Sequence, residues 1–305
     1  MKITIGIPHH RSIKSIRRLI NGLNNQKISL LDFKNEVEVI IVNDGKESVT
    51  SKIDFNVKNL NLKIINQENG GVAFARNKII DSALGDLIFF LDDDCCPKEN
   101  WLQLMYKRFL INKKIDGVGG KIIPLPKKGL VNEYYNITNR LEKPTVDRKT
   151  GEIITIITAN CGFRIKALRS IGGFDQKTFN KNVFGGEDVD LTYRLKREGY
   201  VLEYEPEAIV FHEYPDKFFT IFSKYANYGH GMKIYCLTRN IDPKSIRQPR
   251  FNIISCIIYF IKFPTILKKS YLFFRKRTSR LKSILFSIFD VIRYIGHGYG
   301  FLIKN

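Results

Sequence analysis

Short apolar runs rich in β-branched residues alternate with helix-like segments over the first hundred residues of the chain. Continuous apolar runs are typical of strands that are covered on both faces of a parallel sheet, and apolar residues at helical spacing predict amphipathic helices. The predicted strands are 2–8, 37–44, 62–65 and 86–94, and the predicted helices are 11–24 and 71–83. This alternation predicts a doubly wound α/β unit, whose ligands bind at the carboxyl ends of the strands.

The pattern becomes less regular after residue 95. Helices are predicted at 98–110 and 187–199, extended segments at 117–123 and 154–163, short strands at 201–206 and 208–214, and a loop-rich insertion at 124–151. The stretch 251–267 is apolar but contains Lys262 and Pro264, so we do not expect it to cross a bilayer, which requires about 20 apolar residues. A last helix, 281–299, has an apolar stripe of Leu281, Ile284, Leu285, Ile288, Phe289, Ile292, Ile295 and Tyr299.

The composition is that of an ordinary globular protein, with 44% hydrophobic and 26% charged residues in a chain of 305. The five cysteines form no Cys-x-x-Cys pair, which favours a reduced, cytosolic setting over a disulfide framework or a zinc site. The N-terminus leads directly into a predicted strand, so we expect no signal segment.

Positive charge is concentrated towards the C-terminus. The formal net charge is +20, and residues 217–305 hold 17 Lys and Arg against two Asp, whereas residues 1–216 hold 33 Lys and Arg against 28 acidic residues. We therefore predict an α/β domain at 1–216 and a basic, partly amphipathic helical tail at 217–305. Such a tail contacts an anionic partner, either nucleic acid or anionic lipid.

Carboxylates follow two of the predicted strands. Asp92, Asp93 and Asp94 are consecutive, and strand alternation would point the first and third to one side. That outer pair is suited to hold a Mg²⁺ or Mn²⁺ ion that binds a diphosphate; a solvated acidic turn is the alternative. Asp44 is placed either to accept from a base N–H or a ribose hydroxyl, or to close its strand in an Asx turn.

Two glycine-containing segments begin helices. In QENGGVAFARN the glycines leave backbone N–H groups free for an anion, with Arg76 and Asn77 on the helix that follows. In NVFGGEDVDLTYRL two glycines bring Glu187 and Asp188 to an exposed helix N-terminus, where a carboxylate is able to take a proton from a hydroxyl nucleophile. Plain helix capping is the alternative. His212, at the end of AIVFH, is either a third metal ligand or a structural residue.

The chain resembles the family 2 glycosyltransferases, inverting enzymes of the GT-A fold, in seven segments: ITIGIPHH, IIVNDG, NGGVAFARN, GDLIFFLDDD, TANCGFRIKALRSIGGFD, GGEDVDLTYRLKREGY and VFH. The resemblance covers residues 2 to about 212. It implies an α/β fold of the GT-A type, Rossmann-like, with a mostly parallel central sheet and flanking helices. The basic helical tail is then an extension of that fold.

The resemblance also implies a donor site. Asp44 corresponds to the acid that contacts the base of the donor, and Asn43 stands where many members carry a further acid. The residues expected to contact the donor nucleotide-sugar are Pro8, Asp44, Gly71, Arg76, Asn77, Asp92, Asp93, Asn160 and Gly162. The donor is expected to be a nucleoside-diphosphate sugar, and UDP-linked donors are common in the family.

The implied chemistry is a single inverting displacement that depends on a divalent metal, Mg²⁺ or Mn²⁺. Asp92, Asp94 and His212 correspond to the metal site, and Asp188, beside Glu187, corresponds to the catalytic base. The base deprotonates an acceptor hydroxyl, which attacks the anomeric carbon, while the metal neutralises the departing diphosphate.

The tail adds a prediction about location. Lys268, Lys269 and the segment RKRTSR at 275–280 flank the amphipathic helix, a combination typical of attachment to an anionic membrane surface. The alternative is a helix that packs on the catalytic core or on a second subunit. Attachment would fit a cytoplasmic protein on the inner face of the cell membrane, acting on a glycan or lipid-linked acceptor in cell-surface glycan or glycolipid synthesis; homo-oligomerisation is left open.

Two other functional classes compete with this hypothesis. A nucleotidyltransferase also uses strand-end acids and Mg²⁺, but it releases pyrophosphate rather than a nucleoside diphosphate. A nucleic-acid-binding protein would use the basic tail, but the chain contains no recognition motif, so we expect no nucleic acid partner.

Overall fold

A computed structural model describes residues 1–10, 13–30, 36–45, 61–138, 144–146, 152–246 and 261–303. The first two residues of the predicted helix 11–24, much of the predicted insertion, and residues 251–260 of the apolar stretch lie outside the described residues.

The described chain divides into two compact units. The α/β unit comprises residues 1–126, 139–181 and 188–213, and the helical unit comprises 127–138, 182–187 and 214–305. Strands, in chain order, are β1 (Ile3–His9), β2 (Val37–Asn43), β3 (Asn61–Asn66), β4 (Leu87–Leu91), β5 (Cys95–Pro97), β6 (Gly117–Pro124), β7 (Thr145–Val146), β8 (Ile153–Thr155), β9 (Asn160–Arg164) and β10 (Leu202–His212). Helices are α1 (Ile13–Asn24), α2 (Val72–Ser82), α3 (Trp101–Ile111), α4 (Leu130–Thr138), α5 (Ile165–Ser170), α6 (Glu187–Arg197), α7 (Phe219–Arg239), α8 (Phe263–Arg275) and α9 (Arg280–Leu302).

The α/β unit is built on an eight-stranded sheet with the order β3-β2-β1-β4-β9-β6-β10-β5. The neighbours β1, β2, β3 and β4 are parallel, and so are β6 and β10, whereas β9 and β5 are antiparallel to their neighbours. The mostly parallel α/β sheet predicted from the sequence is confirmed. The strands β1, β2 and β4 are buried almost throughout, which explains their continuous apolar sequences.

A cluster of aromatic rings from β4 and α3 lies in the otherwise largely aliphatic core of this unit. Phe89 on β4 contacts the rings of Trp101 and Phe109 on α3, each with centroids 6.0 Å apart in edge-to-face geometry. Gly162 on β9 pairs with Phe89, and a Cβ at Gly162 would overlap the Phe89 ring. The sheet therefore needs a glycine at this position for packing.

The carboxyl ends of β1, β2, β3, β4, β6 and β10 meet at one edge of the sheet, because these strands run in the same direction. The antiparallel strands β5 and β9 begin at that edge, at Cys95 and Asn160. Asp44, the triplet that begins at Asp92, and His212 are thus brought to the same edge from three distant parts of the chain.

Three predicted elements differ from the structure. The aspartate triplet lies in a turn between β4 and β5 rather than on a strand, because β4 ends at Leu91. The two short strands predicted around Glu205 are one strand, β10, whose register against β6 shifts between Glu205 and Ile209. The insertion predicted to be loop-rich contains the helix α4.

The helical unit packs α7, α8, α9 and α4 around a cluster of aromatic rings. Tyr134 on α4 contacts Phe274 on α8 and Phe286 and Phe289 on α9. Its hydroxyl donates to Asp290 at 2.6 Å, and Ser270 donates to the other oxygen of that carboxylate at 2.8 Å. Within the residues that the structure describes, we find no helix with the length and apolarity that a membrane span requires.

Candidate active site

The Asp44 carboxylate, just after β2, is buried and holds the glycine-containing loop. One oxygen accepts from Gln67 Nε2 at 2.7 Å and from the Gly70 N–H at 2.8 Å, and the other accepts from the Gly71 N–H at 2.9 Å. The sequence predicted that these N–H groups are free for a bound anion. That prediction is wrong for Gly70 and Gly71, because the anion they bind is a side chain of the same protein.

Gly71 is required at the start of α2 for two reasons. Its φ of 97° lies in the region that glycine adopts without strain, and a Cβ would stand 2.7 Å from the backbone nitrogen of Lys181. The loop that Asp44 holds is therefore also packed closely against the chain near residue 181.

Each carboxylate of the triplet has a different partner. Asp92 accepts from Arg76 at 2.9 Å, and Asp93 accepts from the His10 backbone N–H at 3.1 Å and lies 2.7 Å from His9 Nδ1. The expected alternation, with Asp92 and Asp94 on one side, does not apply because these residues form a turn. Asp93 is buried and its carboxylate joins the end of β1 to the triplet.

Asp94 and His212 form the pair best suited to a divalent metal. Strand β5 pairs with β10 so that Cys95 is opposite His212, and this pairing brings Asp94 Oδ1 to 3.3 Å from His212 Nε2. Both side chains are largely buried, and one carboxylate with one imidazole leaves coordination positions open for diphosphate oxygens. The chemistry of this donor set fits Mg²⁺ or Mn²⁺.

Cys95 lies within the same cluster but is a poor ligand. Its Sγ comes within 4.8 Å of the ligand atoms of Asp94 and His212. Burial, and after it the carboxylates of Asp94 and Asp92, raise the pKa of the Cys95 thiol well above its usual value. The sulfur therefore stays protonated and packs in the core.

Asp188 lies in the first turn of α6, directly after the two glycines and Glu187. Asp188 is partly exposed, and one of its oxygens accepts from the Val189 N–H at 2.8 Å. Glu187 is buried rather than exposed as the sequence suggested.

Arg76 and Asn77 on α2, which were predicted to contact the donor, make their polar contacts with other residues of the chain. Arg76 is buried beneath Asp92, and its guanidinium lies 5.4 Å from the centre of the Phe174 ring. The Asn77 amide donates to the Phe174 carbonyl at 2.8 Å and to Gln176 Oε1 at 2.9 Å, and its oxygen accepts from the Phe174 N–H at 2.8 Å. Arg76 thus fixes Asp92, and Asn77 fixes the segment at 174–176.

The side chain of Asn160 also makes its hydrogen bonds within the protein. Its amide donates to the carbonyls of Lys121 and Ala208, both at 2.9 Å, and its oxygen accepts from Trp101 Nε1 at 2.8 Å. The side chain therefore joins β6, β10 and α3 below the site edge. Pro8 lies on β1, where it pairs with Val42 of β2 and is buried.

Sequence reasoning did not assign two residues that shape the site edge. Gln67 donates to Asp44, and His9 Nδ1 lies 2.7 Å from the Asp93 carboxylate. The position of His9 at the end of β1 could have indicated this contact, because β1 and β4 are parallel neighbours whose carboxyl ends lie at the same edge.

A separate cavity of about 900 Å³ lies between α1 and the segment 96–100. Its walls include Lys14, Arg17 and Arg18, with Phe211 among its apolar parts. No predicted site residue lines this cavity. Arg18 donates to the Asp94 carbonyl at 3.2 Å and to Glu213 at 2.6 Å, so it supports the turn that carries Asp94.

Comparison with known proteins identifies the family and the fold. The profile of glycosyl transferase family 2 matches residues 4–172. A pre-mycofactocin glycosyltransferase of Mycobacterium tuberculosis is 26% identical over 234 residues, which is 74% of this chain and 46% of that protein, so the chain spans about half the length of this relative.

Two solved structures share the fold over almost the whole chain. S. aureus TarS in complex with UDP-GlcNAc superposes with a TM-score of 0.55 at 15% identity, covering 99% of this chain and 90% of the other. The mannosyltransferase PcManGT from Pyrobaculum calidifontis, in complex with GDP-Man and Mn²⁺, superposes with a TM-score of 0.60 at 13% identity, covering 100% and 88%. The predicted GT-A fold is confirmed.

Proposed function

Because the chain belongs to glycosyl transferase family 2, we propose that it transfers a sugar from a nucleoside-diphosphate sugar to an acceptor hydroxyl with inversion of the anomeric centre. The observation that carries the proposal is the meeting of Asp94 with His212 at the carboxyl-end edge of the sheet. A metal-suited pair and a partly exposed carboxylate are what one in-line displacement needs.

Asp188 is the proposed catalytic base. It takes the proton of the acceptor hydroxyl, and the oxygen attacks the anomeric carbon from the face opposite the diphosphate. The contact with the Val189 N–H orients its carboxylate at the start of α6. Glu187, which is buried beside it, is proposed to position this helix end rather than to exchange protons.

Asp94 and His212 are the residues that would hold the divalent metal, with Asp92 kept nearby by Arg76. When bound, the metal supplies positive charge against the departing diphosphate. PcManGT, which shares the fold, was solved with Mn²⁺. Arg76 is too deeply buried to leave Asp92 easily, so we propose that Asp92 contacts the ribose or sugar through its second oxygen.

The donor base is proposed to be uracil, and the proposal rests on family membership. The structures that share the fold include complexes with UDP-GlcNAc and with GDP-Man. Asp44 lies at the strand end where the base is expected, with the loop at 67–71 fixed against it. We propose that the acceptor is a glycan or a lipid-linked sugar used in cell-surface synthesis, handled by a peripheral protein at the inner face of the membrane.

The donor site is tested by thermal unfolding with a panel of nucleoside diphosphates, in Mn²⁺ and in EDTA. A ligand at a hundred times its Kd adds about 2.7 kcal/mol of stability. We expect a shift with one diphosphate that requires both Mn²⁺ and Asp94, so that Asp94→Ala loses it while the exposed Asp81→Ala on α2 retains it. A shift with no diphosphate, or one unaffected by Asp94→Ala, contradicts the proposed site.

The catalytic base is tested with the donor that this panel identifies, using a lipid extract as the source of acceptor. Asp188→Asn should lower release of nucleoside diphosphate by about 10²–10⁴-fold while the thermal shift with the diphosphate persists, because the base acts on the acceptor. Asp81→Asn is the matched control. Release of pyrophosphate instead of nucleoside diphosphate would identify nucleotidyl transfer.

A further inference from the structure

The helix α9 exposes a stripe of large apolar side chains. Leu281 is 81% exposed, Ile284 46% and Ile288 44%, and the three are spaced so that they share one face of the helix. This face is part of the apolar stripe that the sequence predicted. In an ordinary globular unit a stripe of this kind is the one that packs inward.

The opposite side of α9 is buried although it is rich in polar residues. Ser283, Ser287 and Asp290 are all buried. Asp290 accepts hydrogen bonds from Tyr134, Ser270 and Arg293, and Ser287 donates to the Ser283 carbonyl. The inner side of α9 therefore combines these polar residues with the buried rings of Phe286 and Phe289, while its outer side is apolar at Leu281, Ile284 and Ile288.

Helices α7 and α9 cross through small residues. A Cβ at Gly296 would stand 2.6 Å from the Phe222 carbonyl oxygen, and a Cβ at Gly229 or Gly300 would overlap the backbone of the other helix. These glycines allow the backbones of the two helices to approach closely.

Exposed basic residues precede the exposed stripe in the sequence. The exposed basic residues of α8 and of the turn that leads into α9 are Lys268, Lys269, Arg275, Lys276, Arg277 and Arg280. Leu272 and Phe273 on α8 are exposed among them, and the Arg277 guanidinium lies 3.9 Å from the centre of the Phe273 ring. Arg280 directly precedes Leu281, so the exposed basic segment leads directly into the exposed apolar stripe.

We propose that α8 and α9 are a docking surface for a bilayer that contains anionic lipid. Leu281, Ile284 and Ile288 enter the boundary between headgroups and acyl chains, and the cations of residues 268–280 contact lipid phosphates. A second copy of the chain would bring the same cations against each other, and nucleic acid would leave the apolar stripe uncovered. The proposal concerns where the protein works and is independent of the transfer reaction.

Flotation of the full chain with vesicles tests the apolar stripe. The wild-type chain should float with vesicles of phosphatidylcholine and phosphatidylglycerol, and Ile284→Asp/Ile288→Asp should lower its partition by about tenfold or more, because two apolar contacts are lost. Leu84→Asp/Ile111→Asp is the matched control, since it places the same charges on exposed apolar positions of the α/β unit. The control should float as the wild type does.

The cations are tested in the same assay. Arg275→Gln/Lys276→Gln should weaken partition on the order of tenfold, and added salt or vesicles of phosphatidylcholine alone should weaken the wild type similarly. The matched control is Lys113→Gln/Lys114→Gln, which removes two adjacent exposed cations after α3. Thermal unfolding of every variant checks that the fold is retained.

Three outcomes would overturn the proposal. The first is a wild-type chain that stays with the vesicle-free fraction, and the second is an Ile284→Asp/Ile288→Asp variant that floats as well as its control. The third is light scattering that shows a dimer for the wild type without vesicles and a monomer for this variant, which would assign the stripe to a second copy of the chain.

Discussion

The α/β unit and the helical unit place polar and apolar side chains differently. In the α/β unit the rings of Phe89 and Trp101 are buried in the core. His9 and Asp93, by contrast, lie close together at the carboxyl-end edge of the sheet. The helical unit also encloses rings, yet it buries Asp290 among them and leaves Leu281 and Ile284 largely in contact with solvent.

The difference shows that one chain follows two packing rules. The α/β unit gains stability by removing apolar surface from water, which is the usual driving force of folding. The helical unit also buries aromatic rings, and to these it adds hydrogen bonds to the buried Asp290 and close helix crossings at glycine. Its stability should therefore depend strongly on a few polar and small residues.

The buried carboxylate of the helical unit gives the largest expected change. Asp290→Ala leaves the donors of Tyr134, Ser270 and Arg293 without this acceptor, and we expect a loss of about 3–5 kcal/mol in the free energy of unfolding measured in urea. Asp216→Ala in the same unit removes an exposed partner of Lys127 and should cost less than about 1 kcal/mol. Equal effects for the two variants would mean that the buried cluster does not organise this unit.

Glycine substitutions compare the packing of the two units directly. Gly162→Ala in the sheet meets the Phe89 ring, and we expect a cost of about 1–3 kcal/mol in the free energy of unfolding. Gly300→Ala meets the Ala226 backbone, which moves only with its helix, so the cost should be larger. Gly119→Ala is the control, because its nearest atom is a side-chain carbon of Ile156 at 3.2 Å. If Gly300→Ala were as mild as this control, the close crossing would be refuted.

The pH dependence of stability should distinguish the helical unit through His297 on α9. Burial, and after it the nearby Arg293, lower the pKa of His297 to about 4 from its usual 6.5. Because the folded pKa is below the unfolded one, the unfolded state binds more protons between these values, and stability falls as the pH drops from 7 to 5, by about 2 kcal/mol. The contribution levels off once the pH is well below the folded pKa of about 4.

Urea unfolding of the wild type and of His297→Gln at pH 7 and pH 5 measures the contribution of His297 to the free energy of unfolding. The variant lacks the titrating ring, so its stability should fall less over the same interval, and the difference between the two falls isolates His297. Identical pH dependence in both proteins would show that the ring titrates normally.

The sequence was sufficient to predict much of the α/β unit. The run VEVIIVND predicts a strand buried on both faces because neighbouring β-branched residues leave no polar side. The rule that parallel strands present their carboxyl ends together then placed Asp44 and the aspartate triplet at one edge. Both predictions depend on local pattern and on strand direction.

The partners of individual side chains were not predictable in this way. The triplet turns because β5 pairs antiparallel with β10, more than a hundred residues away, and no local glycine or proline marks the turn. Asn160 is drawn to Trp101 and Gly162 to Phe89, which are also distant in sequence. For α9 the apolar stripe was recognised, but its exposed side was set by the contact of Tyr134 on α4 with Asp290.

The contact between Asp44 and the loop at 67–71 affects how a donor would bind. The carboxylate already accepts from Gln67, Gly70 and Gly71, so this part of the loop is ordered by the protein itself. Ordering a residue of backbone costs about 1–2 kcal/mol of conformational entropy, and here that cost belongs to folding. An incoming nucleotide meets a preorganised surface, and more of its contact energy remains available as affinity.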